Sequence, residues 1–314
     1  MDGQTRILVI KLGALGDFVQ ALGPFAAIRR HHADAWITLL TTAPYANLAY
    51  ASGYFDEIWV DRRSYMPRHI LALRGWLRRT RFQRVYDLQT SRRSSFYFYL
   101  FWSGPYPEWS GIAKGCSYPH TNPGRDVMHT LDRQAEQLRM AGIEEVPAPD
   151  VSWAEPDIEK FGLAGRYALL AAGGASHRPA KRWPAERFAE LAGWLSRQGI
   201  TPVLLGTKAE SRALEAIAAA CPSARSLAGD TDFLDIVGLA RGAVCAIGND
   251  TGPMHLIAVA GCPSVVLYSA ESDPALCAPR GARVVVLRRP SLDQLASGDV
   301  EKVLAAMWQE KSVS

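Results

Sequence analysis

The sequence predicts an α/β protein made of two nucleotide-fold-like domains in tandem. Three observations carry this prediction. The chain has 314 residues, a length that suits two domains of roughly 150 residues better than one core. Short runs rich in Val, Ile and Leu alternate with longer amphipathic stretches, the rhythm of parallel strands joined by crossover helices. Near the middle, Pro147-Ala148-Pro149 and then Glu155-Pro156 form a proline-rich break of the kind that separates domains.

In the first half, strands are expected near 7–10, 36–40, 57–60 and 84–88. A helix over about 131–141 precedes the break. In the second half, strands are expected near 168–172, 202–205, 225–227, 244–247, 264–268 and 283–287. A helix over 187–198 carries Leu191, Trp194 and Leu195 on one side, a helical rather than a strand period. A final amphipathic helix spans 300–309. These elements place the domains at 1–155 and 156–314, with the last helix free to pack back toward the first domain. Open α/β sheets hold ligands at the carboxyl ends of their strands, so two in tandem are expected to enclose a cleft where the chemistry sits.

Hydrophobic residues make up 48% of the chain and charged ones 21%, proportions of a globular protein rather than a disordered or membrane-spanning one. Cys116, Cys221, Cys245, Cys262 and Cys277 are widely spaced, with no C-x-x-C pair. Reduced, mostly buried thiols are expected, and with them a cytoplasmic protein. The chain passes from Met1 through polar residues into the first expected strand, so no signal peptide is expected. The longest apolar stretch, 256–268, is interrupted by Gly261 and Pro263 and is shorter than the roughly 20 residues of a membrane span.

The net charge of +4 is modest, but its distribution is uneven. Arg62, Arg63, Arg68, Arg74, Arg78, Arg79, Arg81, Arg84, Arg92 and Arg93 crowd the segment 62–102, whose one carboxylate is Asp87. Phe96, Tyr97, Phe98, Tyr99, Phe101 and Trp102 follow them. A solvated helix face next to a buried helix explains the segment. Attraction to a phosphorylated acceptor, or peripheral contact with the inner-membrane surface, explains it equally well. No recognisable nucleic-acid-binding pattern contains these arginines, so no nucleic-acid partner is expected.

Three motifs could carry chemistry. The first strand ends in Lys11-Leu-Gly13-Ala-Leu-Gly16-Asp17, with a helix expected from Phe18. Glycines at such a turn let a ligand approach the main chain. Asp17 is suited either to cap the helix or to act as a general base on an acceptor hydroxyl. The second motif, Gly173-Gly174-Ala-Ser176-His177-Arg178-Pro179-Ala-Lys181-Arg182-Trp183-Pro184, is either a solvated polar turn or a cationic loop for a diphosphate. In the latter case Lys181 is the first choice to stabilise charge growing on the leaving group. The third is Gly248-Asn249-Asp250-Thr251-Gly252-Pro253-Met254-His255, where Pro253 suits a first helical turn and the free amides there can bind phosphate. His255 is either a core histidine or a donor to phosphate or sugar. Asp230-Thr-Asp232 imitates a metal-binding Asp-x-Asp element, but a helix cap before Phe233 explains it. No metal is expected to be required.

Taken together, Lys11–Asp17, the Pro179-Ala-Lys181-Arg-Trp-Pro184 run and Asn249-Asp-Thr-Gly-Pro-Met-His255 resemble glycosyltransferase family 9, the ADP-heptose:lipopolysaccharide heptosyltransferases, in order and spacing along nearly the whole chain. The resemblance implies a GT-B fold of two facing Rossmann-like domains. The N-terminal domain would hold a lipopolysaccharide core or lipid A-linked acceptor, and the C-terminal one a nucleotide diphosphate sugar. It also implies an inverting, metal-independent transfer with no cofactor beyond the donor, ADP-heptose. Asp17 would be the general base. Lys181 and the amides of Thr251 and Gly252 would hold the diphosphate. Ser176 and His177 fall at phosphate contacts, although a histidine departs from the threonine pair of some members. Asp250 and His255 would contact the donor sugar and phosphates, Glu210 the ribose, and Leu227 the adenine. On the acceptor side the resemblance points to Lys11, Gly16, Gln89, Arg92 and Arg93. Thr90 stands where members often carry glycine. The alternatives are a family 9 enzyme with another sugar or acceptor, a nucleotide-sugar epimerase that needs no acceptor, and a silent nucleotide-sugar-binding protein, which would have lost Asp17 or Lys181.

Overall fold

The computed structural model describes residues 4–174, 178–281 and 283–310. The chain forms two compact units, 1–150 and 151–314. The division falls at Asp150 rather than at 155 because the Arg241 guanidinium binds the carbonyls of Val151 and Ala154, 2.6 and 2.5 Å away. Those contacts attach the 151–155 segment to the second unit.

The first unit contains β1 (Arg6–Ile10), β2 (Trp36–Thr41), β3 (Glu57–Val60), β4 (Arg84–Asp87), β5 (Glu108–Gly111) and β6 (Tyr118–Pro119). They form one sheet in the order β3-β2-β1-β4-β5-β6, and every neighbouring pair is parallel. β1 is apolar because it lies centrally, between β2 and β4, and is covered on both faces; Ile7 to Ile10 are all buried. The last two strands are absent from the sequence-based expectation. β5 reads Glu-Trp-Ser-Gly and β6 contains a proline, so neither has the β-branched run that marks a strand. What anchors β5 is Trp109, fully buried, with the Phe98 and Phe101 rings edge-on to it at centroid distances of 5.4 and 6.3 Å.

The second unit repeats this plan with β7 (Tyr167–Ala171), β8 (Thr201–Leu204), β9 (Arg225–Ser226), β10 (Cys245–Asn249), β11 (Ser264–Tyr268) and β12 (Val284–Arg288). Its order is β12-β11-β10-β7-β8-β9, again parallel throughout. The helix Ala185–Arg197 buries Phe188, Leu191, Ala192 and Leu195. The final helix, Ser297–Glu310, packs against that helix and β11 within its own unit, with Trp308 stacked on Trp194 at 5.4 Å. Each sheet reverses its direction of growth once, between β1 and β4 and between β7 and β10. Ligands of doubly wound sheets bind outside the carboxyl ends at such reversals, and all three sequence motifs begin there.

Trp109→Ala is expected to cost about 3–5 kcal/mol, since it opens a large cavity under two aromatic rings. Urea unfolding of the variant beside the parent measures this, and a loss under about 1 kcal/mol would mean that β5 is not anchored as described.

Candidate functional site

In the first unit the site is built on the turn after β1. Gly13 has φ +115°, and a Cβ there would press into the Tyr45 ring, 2.6 Å from its edge. Only glycine fits this turn without strain. The following helix is Leu15–Gln20, so it starts at Leu15 rather than Phe18. Leu15 and Phe18 are drawn into the core, and that pulls the first turn forward. Asp17 therefore sits inside the first turn, and its Oδ2 accepts the Ala14 amide at 3.3 Å. The cap is real, and the half-buried carboxylate still meets solvent.

Behind the turn lies a group of buried charges. Lys11 is almost fully buried, with Nζ donating to the Leu88 carbonyl at 3.0 Å. Burial pulls its pKa down; Asp17 and Asp87 act to raise it and Arg133 to lower it further. Asp87, fully buried at the end of β4, is pushed up to about 6, mainly by loss of water. The amides of Thr90 and Gln89, the Ser94 hydroxyl and the Lys11 ammonium oppose that rise. Thr90 adopts φ +43°, a left-handed conformation in which glycine is at ease, and this turn brings its amide to 3.0 Å from Asp87 Oδ1. Gln89 Oε1 accepts the Leu12 amide at 2.7 Å, tying the β4 turn to the β1 turn. Leu12, Gly13, Thr42, Tyr45, Asp61 and Gln89 line a pocket of about 640 Å³.

Of the other residues expected on the acceptor side, Gly16 is half-buried in the same turn and Arg92 is exposed. Arg93 is turned inward. Its guanidinium meets Asp61 at 3.4 Å, the Tyr97 hydroxyl at 2.5 Å and the Ser64 carbonyl at 3.2 Å, and it lies over the Tyr65 ring. Tyr97 also donates to Asp61. Tyr45 and Asp61 line this pocket and Arg133 lies within electrostatic reach of Lys11 and Asp17, and no motif in the sequence announces any of the three.

The second unit assembles its site from the turns after β7, β10 and β11. Asn249, fully buried, accepts the Trp183 amide at 2.9 Å and donates to the carbonyls of Ala172 and Gly173, both at 3.0 Å. Next to it, the Lys181 ammonium pairs with Asp250 Oδ2 at 2.7 Å, and the Ser272 hydroxyl donates to the same oxygen at 2.7 Å. Burial would raise the Asp250 pKa, but Lys181 and Ser272 outweigh it and hold the carboxyl below its usual range. Thr251 is the N-cap of the helix Gly252–Val259, with Pro253 in its first turn and no side chain capping it. The Thr251 hydroxyl is buried without a hydrogen-bond partner. His255 is buried in that helix.

Glu210 Oε1 accepts the Gly174 amide at 2.5 Å, and Oε2 accepts the amide and hydroxyl of Thr207. A Cβ on Gly173 would collide with this carboxylate. Gly173, Arg182, Glu210 and Arg212 line a pocket of about 430 Å³. Leu227 is buried outside that lining, its amide bonded to the Leu204 carbonyl. Asp232 caps the helix Phe233–Gly242 through the Asp235 amide at 2.8 Å. Ser176 and His177 lie outside the described residues. Among the described residues, no group of three His, Cys, Asp or Glu side chains could hold a metal ion, and no helix is long and apolar enough to cross a membrane.

Asp87 sets a pH dependence whose sign follows from its raised pKa. Its contribution to stability is fully present below about pH 4 and is lost as pH rises through about 6. Asp87→Asn keeps the acceptor for the Thr90 and Gln89 amides and is expected to remove this term, worth on the order of 2 kcal/mol. Urea titrations at pH 4.5 and pH 7 test it: the variant should gain on the parent at pH 7 relative to pH 4.5, and an unchanged difference would exclude Asp87 as the source.

Comparison with known proteins gives this geometry its context. Over 134 residues the chain is 37% identical to lipopolysaccharide heptosyltransferase 2 of Salmonella typhimurium, an alignment spanning 41% of this chain and 38% of that protein. The chain thus covers under two-fifths of the length of that relative. Over nearly its whole length it superimposes on two solved structures. One is the ADP-heptose lipopolysaccharide heptosyltransferase II of E. coli, with TM-score 0.78, 22% identity, and coverage of 98% of this chain and 100% of that one. The other is a family 9 glycosyl transferase of Veillonella parvula, with TM-score 0.82, 21% identity and 99% of each chain. These likenesses give the two parallel six-stranded sheets the GT-B fold. Residues 70–304 match the family described as glycosyltransferase family 9 (heptosyltransferase), and the chain belongs to that family.

Proposed function

We propose that the protein transfers a sugar, heptose from ADP-heptose, onto a hydroxyl of a lipopolysaccharide core acceptor, with inversion at the anomeric carbon and without a metal ion. The observation that carries this reading is the Lys181–Asp250 pair beside an uncapped helix start. A cation held at 2.7 Å from Asp250, the orphaned Thr251 hydroxyl and the first amides of Gly252–Val259 make a place for a diphosphate. A helix N-terminus favours negative charge through its free amides and its dipole. The pocket of Gly173, Arg182, Glu210 and Arg212 lies along the adjacent β7 turn and suits the nucleoside part of the donor.

In the reaction the acceptor hydroxyl attacks the anomeric carbon as the bond from that carbon to the diphosphate oxygen breaks. Asp17 takes the hydroxyl proton. The diphosphate leaves with the bonding electrons, and its added charge is held by Lys181 and the Thr251 and Gly252 amides, groups already oriented before the charge appears. Lys181 need not be recruited from solvent, since Asp250, itself bonded by the Ser272 hydroxyl, fixes its position. Gln89, which lines the pocket at the first unit's turn, is the acceptor-side group best placed for an acceptor, while Lys11, buried behind the turn, acts on Asp17 through its charge. Arg92 remains available to an anionic acceptor, whereas Arg93 acts through Asp61 and Tyr97. The N-terminal unit would thus take the acceptor and the C-terminal unit the donor, on the cytoplasmic side of the inner membrane.

The test is incubation of the purified protein with ADP-heptose and a heptose-deficient lipopolysaccharide core in excess chelator, followed by mass spectrometry. A gain of one heptose on the acceptor and release of ADP are expected. Release of an isomerised sugar without acceptor, or no turnover until metal is restored, would refute the reading. Asp17→Ala is expected to lower kcat by about 10²–10⁴-fold while leaving ADP-heptose affinity within about twofold, because a base acts in the transition state. An equal loss of donor affinity would move Asp17 out of that role.

A further inference from the structure

The turn after β7 is held by a bond that local structure does not require. Glu210 ends the short 3₁₀ turn Lys208–Glu210 and precedes the helix Ser211–Ala220. Its Oε2 accepts the amide and the hydroxyl of Thr207, at 2.7 and 2.8 Å. Those two bonds are an ordinary capping arrangement, and they account for a carboxylate at this position. They do not account for Oε1, which turns away from the helix start and takes the Gly174 amide at 2.5 Å, 36 positions back in the chain. Gly173 leaves the room for it, since a Cβ there would collide with the carboxylate.

The bond sets an anion among donors that otherwise lack one. The Gly174 carbonyl accepts the Arg182 guanidinium at 2.5 Å, while Arg182 Nε is buried without a hydrogen-bond partner. The Thr251 hydroxyl is buried without one as well. A Cβ built on Gly174 would lie 3.5 Å from Arg182 Nε and 3.8 Å from Thr251 Cγ2, so both side chains flank this glycine closely. Arg182 and Arg212 line the same pocket as Glu210, yet among the described residues neither pairs with a carboxylate.

A backbone amide in such a turn is the kind of donor that binds a phosphate oxygen. The Glu210 carboxylate and a phosphate therefore compete for the Gly174 N–H, and as like charges they repel. Free diphosphate has to displace the carboxylate and offers it no donor in return. A ribonucleoside diphosphate brings vicinal hydroxyls, which can donate to Oε1 as the phosphate takes the amide. The exchange moves hydrogen bonds only; no covalent bond is made or broken.

Resting on the donor site proposed above, we propose that Glu210 determines its selectivity by competing with phosphate for the Gly174 amide, so that a ribonucleoside diphosphate is admitted and inorganic pyrophosphate is refused. Lys181 and the start of Gly252–Val259 attract any diphosphate by charge and dipole. Glu210 supplies the discrimination that they lack.

Titration calorimetry on the full chain in excess chelator, with ADP, 2′,3′-dideoxy-ADP and inorganic pyrophosphate as probes, tests this. The parent is expected to bind ADP, to bind the dideoxy analogue roughly 10–100-fold more weakly, the worth of hydrogen bonds to a charged group, and to bind pyrophosphate weakest of the three. Glu210→Ala should bind pyrophosphate roughly tenfold more tightly than the parent, bind ADP no more tightly, and no longer separate ADP from its dideoxy analogue. Glu210→Gln, which keeps the shape and drops the charge, should lie between the two, and it carries the same comparison if circular dichroism shows the alanine variant to be unfolded. Two controls separate this effect from capping and from net charge. Thr207→Ala loses a capping bond but keeps the Gly174 bond, and Glu215→Gln removes an exposed charge from the same helix; both should stay within about twofold of the parent for pyrophosphate. Pyrophosphate bound no more tightly by the Glu210 variants than by the parent, an equal gain in either control, or a ribose preference kept by Glu210→Ala would each overturn the proposal. If the parent binds ADP and the Glu210 variants follow it, the selectivity role alone falls; if the parent binds no ADP, the donor site falls and this role with it.

Discussion

The second unit's site depends on one buried amide. Asn249 joins three segments that are far apart in sequence: the end of β7 through the carbonyls of Ala172 and Gly173, the cationic loop through the Trp183 amide, and the end of β10 on which it stands. A buried side-chain amide with its donors and acceptor all engaged is costly to disturb, since each group left unpaired costs its full desolvation energy. Lys181 reaches Asp250 because Trp183 is held there, and Trp183 is held a second time by its indole nitrogen on the Leu295 carbonyl at 2.9 Å. The cation, the carboxylate and the helix start are therefore positioned before any ligand arrives.

The two units reach comparable arrangements from the same topology. In each, the central pair of strands at the reversal ends in turns that interlock: Gln89 of the β4 turn takes the Leu12 amide of the β1 turn, and Asn249 of β10 takes the carbonyls of the β7 turn. The electrostatic character differs. The first unit buries Lys11 and Asp87 away from water, and that loss of water raises the Asp87 pKa to about 6 against the opposing pull of Lys11 and the hydrogen bonds. The second buries a closely paired ammonium and carboxylate, and the carboxyl falls.

The basic segment shows how one sequence feature can divide into several structural roles. Arg84 and Arg93 pair with Glu108 and Asp61 and stabilise the sheet end and the loop before the helix. Arg74 and Arg78 bind main-chain carbonyls and shape the 102–104 turn. Arg62, Arg79 and Arg92 stay in solvent. The aromatic run divides in the same way: Tyr97 and Phe98 are buried, and Tyr99 and Trp102 are exposed. Composition alone cannot make that division, because a helix over Arg92–Tyr99 turns successive residues by 100° and their burial depends on what covers each face.

By itself, the sequence determined the class of fold, a division into two units, most of the strands and the three glycine-bearing motifs that follow β1, β7 and β10. Those features are local: apolar runs bury themselves as parallel strands, and glycine, proline and Asp–Thr–Gly patterns act within a few residues of where they stand. The tertiary structure alone decided that Trp109 makes a strand of Glu108–Gly111, that Arg93 faces Asp61 rather than solvent, that Leu227 is buried outside the pocket beside Glu210, and that Ser272 joins Lys181 on Asp250. Each of these depends on partners at long sequence separation, brought into range by strand order and packing, and no local pattern carries that information.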